Sequence, residues 1–231
     1  MTVNRFPAIV FDFDGTLVDS AADLRAALNG TLAEASLEPV AIDAVRRMIG
    51  DGAAKLVERG FAARGRPLDA DALARWTARF LAIYEPISAD RTQPYDGVVE
   101  TLELLASRGH RLGLCTNKPE RATRLMLARL GLDRFLSAVV GGDTLAVRKP
   151  RPEPLLAALA GLGTAPAGAI MVGDNEHDVA TAHGAGVPIV VVSYGYSRTP
   201  LDELGADARI DAFAELPVAL DRLAVSRPAA A

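Results

Sequence analysis

Short apolar runs recur along this chain at intervals. Ala8-Ile9-Val10-Phe11, Arg111 to Cys115, Ala138-Val139-Val140, Ala169 to Val172 and Val187 to Val192 are each too short for a buried helix and almost unbroken by polar residues. Such runs predict strands covered on both faces. Between them the apolar positions follow a helical period. Val98 to Arg108 reads as a helix closed by Gly109, Pro119 to Leu130 as one closed by Gly131, and Leu155 to Leu162 and Glu176 to His183 as two more. Strand and helix in alternation predict an α/β fold, a parallel sheet with helices on both faces.

One stretch breaks the alternation. From Ser20 to Pro86 the pattern is helical throughout, with no convincing strand. Ser20 with Asp23 reads as a capping box for a helix with Leu24, Leu28 and Leu32 on one face. Asp43 is placed to cap a short helix closed by Gly50, a second can begin near Gly52, and Leu73, Trp76, Phe80 and Ile83 line a third. The expectation is a smaller all-helical domain, residues 20–86, inserted into a core of residues 1–19 and 87–231, with the two crossings as a hinge. There is no internal repeat, and the terminal SRPAAA is expected to be disordered.

Composition narrows the partners. The chain has 231 residues, enough for one large domain or a domain carrying an insert. Charged residues make up 23% and the formal net charge is −4, so no broad basic surface suggests nucleic acid. An anionic ligand must therefore meet locally placed cations. The one cysteine, Cys115, lies in an apolar run, which excludes an intramolecular disulfide and reads as a buried inert thiol in a reducing cytoplasm. The opening MTVNRFP has no long apolar segment or cleavage site, and no later run approaches membrane-spanning length. The expectation is a soluble, unexported protein, monomer or homodimer, with no membrane partner.

In an open parallel sheet, ligands bind beyond the carboxyl ends of the strands. The residues found there form a set. The first run ends in Asp12 and Asp14, which point to the same side of an extended chain, and Gly15 lets the backbone bend and bring N–H groups close to a ligand. The run ending at Cys115 is followed by Thr116 and Asn117, the latter shortly before a helix start that favours an anion; an ordinary helix cap is the plain alternative. Ile170-Met171-Val172 is followed by GDNEHD, with Asp174 and Asp178 four apart and able to face one site. Asp12, Asp174, Asp178 and a nearby carbonyl make an all-oxygen ligand set suited to Mg²⁺, whereas zinc is disfavoured without cysteine and histidine clusters. His177 reads as a helix-surface residue. Lys149, stiffened by prolines in VRKPRPEP, could neutralise a transferring phosphate, or be an incidental lysine on a surface connection. A divalent metal, a lysine and a nucleophilic carboxylate together mean phosphoryl transfer.

Taken in order, DFDGT, TNK, Lys149 in KPRPEP, and GDNEHD resemble the four motifs of the haloacid dehalogenase superfamily of aspartate-based phosphohydrolases. The similarity runs over nearly the whole chain. Within the superfamily the sequence is most similar to the phosphoglycolate phosphatases, through VFDFDGTLVDS, IGDGAAKLVERG, PYDGV, GGDTL and SYGYS. Asp14 argues against the superfamily's dehalogenases, which lack that second carboxylate. The resemblance implies a Rossmann-like core with an inserted helical cap. It implies Asp12 as the nucleophile that becomes a phosphoaspartate, Asp14 as acid and then base, and Thr116 and Lys149 on the phosphoryl oxygens. Mg²⁺ would be held by Asp12, the main-chain carbonyl of Asp14, and Asp174, with Asp178 as a ligand or an orienting group.

The reading favoured is a Mg²⁺-dependent phosphomonoesterase acting on a small phosphorylated metabolite, with 2-phosphoglycolate leading. Other small phosphates (sugar, amino-sugar, pyrophosphate) and a phosphomutase of the same fold remain as alternatives. A receiver-type signalling module is the alternative from a different class, and the helical insertion has no place in it. For the carboxylate of phosphoglycolate, the loop Gly50-Asp51-Gly52 and the helix start after it are candidates, aided by Lys55 or Arg47.

Overall fold

The computed structural model describes residues 5–226. In chain order its elements are β1 (Ala8–Phe11), β2 (Val18–Asp19), α1 (Ala21–Glu34), α2 (Ile42–Arg46), α3 (Ala53–Ala62) and α4 (Ala70–Ile87), then β3 (Gln93–Pro94), α5 (Val98–Ser107), β4 (Arg111–Cys115) and α6 (Glu120–Leu130). The chain continues through β5 (Leu136–Val140), α7 (Glu153–Gly161), β6 (Ala169–Gly173), α8 (Glu176–Gly184), β7 (Ile189–Val192), β8 (Ala208–Ile210) and α9 (Leu216–Ser226). Six of these strands form one sheet in the order β5-β4-β1-β6-β7-β8, every neighbouring pair parallel.

The period of two along each strand divides its side chains between two apolar layers. Ile9, Phe11, Leu112, Leu114, Ile170 and Val172 pack on one face with α5, α6 and α9. Ala8, Val10, Cys115, Ala169 and Met171 pack on the other with α7 and α8. Both faces are covered, which is why the runs read as continuously apolar. The inserted helices share the first layer, since Leu24, Leu28, Leu32, Phe61, Phe80 and Tyr84 belong to the same buried cluster as Phe11 and Phe13.

The chain leaves the sheet through β2 and returns through β3, and these two crossings pair antiparallel, Val18 with Pro94 and Asp19 with Gln93. A pair of two-residue strands carries no apolar pattern to reveal it. The start of α1 is also built differently from a capping box. Ser20 makes no side-chain cap; the backbone N–H groups of Ser20 and Ala21 donate to the Tyr196 hydroxyl at 3.0 and 3.2 Å. Asp23 instead accepts from the backbone of Arg91 and Thr92 and from the Thr92 hydroxyl, tying α1 to the returning strand. Asp43 lies in the first turn of α2 rather than capping it, and α2 stops at Arg46, before Gly50. On α4 the buried residues are Phe80 and Tyr84, with Leu73, Trp76 and Ile83 half-covered at the edge of the core. Neither β8 nor α9 is predicted from the sequence. The expectation for SRPAAA lies outside the described residues except at Ser226, which ends α9. Among the described residues no helix is long and apolar enough to cross a membrane.

Candidate active site

The connection leaving β1 leads toward β4 and the one leaving β6 leads toward β7, in opposite directions across the sheet. A crevice opens at such a point. Phe11 pairs with both Leu114 and Val172, so the residues that follow them emerge side by side, and the Asp12 amide continues the ladder by donating to the Val172 carbonyl at 2.9 Å. Strand register alone therefore gathers Asp12, Thr116 and Asp174.

Asp12, Asp174 and Asp178 form a buried cluster with a carboxylate oxygen of each within 4.8 Å of the others. Lys149 reaches in from its loop, its Nζ 2.7 Å from Asp12 Oδ1 and 2.6 Å from Asp178 Oδ1. Asp174 accepts from the Tyr196 amide at 2.6 Å and from the Asn175 side chain at 2.8 Å. Asp178 is more fully committed: Lys149 takes one oxygen, and the amides of Asp174 and Asn175 take the other at 3.1 and 3.3 Å. It holds the loop and the lysine in place.

Three carboxylates against one ammonium leave two negative charges in excess in a buried space. Burial raises the Asp12 pKa to about 6, the neighbouring Asp178 adding to the rise and Lys149 opposing it. Burial, with Asp178 and Asp12, also pushes Asp174 well above the usual carboxylate range. An all-oxygen set with this excess fits a divalent cation. Gly15 is needed beside it. Its φ is +89°, and a Cβ there would lie 2.5 Å from Asp174 Oδ2, so a side chain would collide with the cluster.

Asp14 stands apart. Its carboxylate is not in the cluster but accepts from the Ser20 hydroxyl at 2.5 Å and from Lys118 Nζ at 3.1 Å on both oxygens. Lys118 also donates to the Tyr84 hydroxyl of α4 at 2.7 Å. Burial works against its charge, yet Asp14 and Tyr84 outweigh it and raise the lysine's pKa. Removing one member of such a buried pair typically costs about 3–5 kcal/mol. The sequence marks Lys118 only as the last residue of TNK and points to no role for Tyr84 or Tyr196.

Thr116 is buried, its Oγ1 accepting from the Lys118 amide at 3.3 Å. Asn117 is a brace. Its Nδ2 donates to the Gly50 carbonyl at 2.9 Å and to the Lys149 carbonyl at 3.1 Å, joining the inserted helices' loop to the lysine loop. Gly50 and Gly52 line the same cavity as Asp12, Asp14, Thr116 and Lys118, and Gly52, with φ +85°, precedes α3. Lys55 is a correction. It does not line that cavity; it is 44% exposed and paired with Glu58 at 2.6 Å, one turn along the same helix. Arg47 is also exposed and off the cavity. His177 is no free surface residue either, since its Nε2 lies 2.6 Å from Asp51 Oδ1. Asp51 also accepts from Arg59 at 2.5 Å and Arg198 at 2.7 Å, so the inserted loop is pinned to the core by ion pairs. Cys115 is buried behind Asp12, and burial pushes its thiol up to about 12, with Lys149 opposing and the two carboxylates assisting. Its burial matches the expectation.

Fold and site together define a hydrolase of the α/β type with a buried acidic cluster and two placed lysines. A sequence model described as haloacid dehalogenase-like hydrolase matches residues 9–192. A phosphoglycolate phosphatase from Rhodospirillum rubrum is 54% identical over 213 residues, covering 90% of this chain and 88% of the relative. One from Caulobacter vibrioides is 44% identical, covering 96% and 93%. Among solved structures, that of a predicted phosphoglycolate phosphatase from Haemophilus somnus superposes with a TM-score of 0.88 at 31% identity, covering 94% of this chain and 99% of that one. The chain belongs to the haloacid dehalogenase-like hydrolase family, and it is a phosphatase. The receiver-type reading is thereby set aside.

Proposed function

We propose that this protein is a Mg²⁺-dependent phosphomonoesterase that hydrolyses 2-phosphoglycolate to glycolate and phosphate through a phosphoaspartate on Asp12. The observation that carries the reading is the separation of two carboxylates: Asp12 lies with Lys149 in the acidic cluster, while Asp14 lies outside it, beside Lys118 and Tyr84. One is placed to react with phosphorus and the other to handle protons. The substrate is inferred from the relatives, phosphoglycolate phosphatases whose small substrate suits the cavity beside the cluster.

In the first step a carboxylate oxygen of Asp12 bonds to phosphorus as the ester P–O bond breaks, and Asp14 gives a proton to the departing alkoxide. In the second step Asp14 takes a proton from water, whose oxygen attacks the phosphoaspartate; phosphate leaves and Asp12 is regenerated. Lys149 offsets charge on Asp12 and on the phosphoryl oxygens, and Thr116 and the backbone near Gly15 bind those oxygens. A Mg²⁺ ion held by Asp12, Asp174 and the Asp14 main-chain carbonyl, with Asp178 orienting the loop, would supply positive charge for the phosphoryl oxygens. We take residues 20–86 as the cap that encloses the substrate, and the protein as cytoplasmic, acting as monomer or homodimer without nucleic acid or membrane.

The test is phosphate release from a panel of 2-phosphoglycolate, sugar phosphates, amino-sugar phosphates and pyrophosphate, with chelator, Mg²⁺ or Ca²⁺ present. Activity should vanish in chelator, return with Mg²⁺, and stay low with Ca²⁺, which accepts looser geometry. Fastest turnover on another ester would replace the substrate; an isomerised product would make the protein a mutase; full activity in chelator would remove the metal.

A further inference from the structure

The cavity between the sheet and the inserted helices is walled mostly by carbon, including Leu24, Ile49, Leu56, Phe80 and Leu81. Lys118 interrupts that wall. Its side chain is only 4% exposed, and its Nζ sits 4.6 Å from the centre of the Tyr84 ring. The Tyr84 hydroxyl donates its own proton to Met126 Sδ at 3.2 Å and so turns a lone pair toward Lys118. Among the described residues the ammonium meets three acceptor atoms, both Asp14 oxygens at 3.1 Å and the Tyr84 hydroxyl at 2.7 Å, one for each of its N–H donors. An acid entering the cavity would take over one of the two longer contacts to Asp14, whose other oxygen keeps the lysine in place.

The two buried lysines divide the site. Lys149 lies with Asp12 and Asp178, where the phosphoryl group reacts. Lys118 lies with Asp14 and α4, on the side where the leaving group must stand if Asp14 protonates it. A neutral leaving group would gain little from a buried ammonium there. An anionic one, entering an apolar pocket, needs both a donor and an opposite charge.

We infer that Lys118 is the specificity-determining residue of this phosphatase, its ammonium receiving a carboxylate on the leaving part of the substrate across the cavity from the acidic cluster. This rests on the phosphoglycolate reading above and deepens it: Lys118, and not Lys55, reads the acid. It also sets a rule for substrates. The site should prefer short phosphoesters whose leaving group carries a carboxylate close to the ester oxygen, and should reject their neutral isosteres.

The experiment compares kcat/KM for 2-phosphoglycolate and its neutral amide, 2-phosphoglycolamide, in the full chain with Mg²⁺, before and after Lys118→Gln. The glutamine amide can still donate to Asp14 and Tyr84, so the variant removes the charge while keeping a tether. The unmodified protein should favour the acid by about 10- to 100-fold, the range expected for a hydrogen bond to a charged group. In Lys118→Gln that preference should collapse toward unity, with the acid losing far more than the amide. Equal loss on both substrates would make Lys118 a tether for Asp14 and overturn the inference. A preference absent from the unmodified protein would instead bring down the substrate reading, and with it the anion that Lys118 is to receive. A crystal structure of Asp12→Asn with 2-phosphoglycolate bound needs no Lys118 variant. The carboxylate should lie within hydrogen-bond distance of Lys118 Nζ; a carboxylate seated elsewhere overturns the assignment.

Discussion

The sheet side of the active site and the side formed by the inserted helices are held by different means. On the sheet side, Asp12, Thr116 and Asp174 follow three neighbouring strands whose register is fixed by backbone pairing and by apolar layers on both faces. On the other side, an apolar cluster shared with the core is joined by polar links between residues far apart in sequence: Tyr84 to Lys118, Asn117 to Gly50, and Asp51 to His177 and Arg198. The first arrangement cannot shift without unpairing a sheet. The polar links of the second do not include Asp12 or Asp174, so the proposed cap is fastened by residues other than those of the acidic cluster.

The sharpest way to test that division is to damage the chemistry without touching the cover. Asp12→Asn should lower phosphate release by about 10⁴-fold or more, as loss of a nucleophile does elsewhere, with the circular dichroism spectrum kept. Asp14→Asn should lower it by about 10²- to 10⁴-fold, the range for a general acid and base. Appreciable turnover by a verified Asp12→Asn protein would break the assignment of the floor.

A smaller effect is expected at the fastening of the cover. Burial alone would raise the pKa of Asp51, but hydrogen bonds from Arg198 and Arg59, with His177 nearby, outweigh it and hold the group at about 2. Since the folded pKa lies below the ordinary 3.8, the stabilisation is fully present above about pH 4 and is lost as pH falls toward 2. Asp51→Asn should therefore lower Tm at neutral pH, and the gap to the unmodified protein should narrow between pH 4 and 2. KM should rise several-fold with kcat less affected, because the acidic cluster does not include Asp51. A gap that stays constant down to pH 2 would count against the ion-paired fastening.

The two sides also differed in how legibly the sequence wrote them. The floor could be read because a strand announces itself by a local apolar run and its last residue marks a strand end; Asp12, Thr116 and Asp174 follow from that. The links across the cavity have no local signature. Tyr84 falls at an apolar position of a helix, so its hydroxyl was invisible until Lys118 stood beside it, and Tyr196 lies 176 residues from the amide of Ser20 that it receives. Ser20 and Asp23 carry the spacing of a capping box, yet Asp14 and the segment leading into β3 each offered a better partner. The three-residue β8 is too short for periodicity to reveal, and α9 shows its apolar face mainly through what it covers.

The smallest effect distinguishes the two candidate lysines on the cover side. Lys55 follows a glycine-bounded loop that lines the cavity, and from sequence alone it is the natural cation for a substrate carboxylate. In the fold it is not among the residues that line the cavity, and it meets Glu58 at 2.6 Å, with both groups more than 40% exposed. An exposed pair of this kind contributes at most about 1 kcal/mol and is weakened further by salt. Lys55→Ala should therefore change kcat/KM by less than about twofold, since surface substitutions away from special features shift free energies by at most about 0.5 kcal/mol. The change should be the same on 2-phosphoglycolate as on a phosphoester lacking the carboxylate. Loss confined to 2-phosphoglycolate would mean that α3 turns its first basic residue toward the substrate when the cover closes. The division between the two sides would then fail at the point where it assigns recognition of the acid to Lys118, beside Asp14.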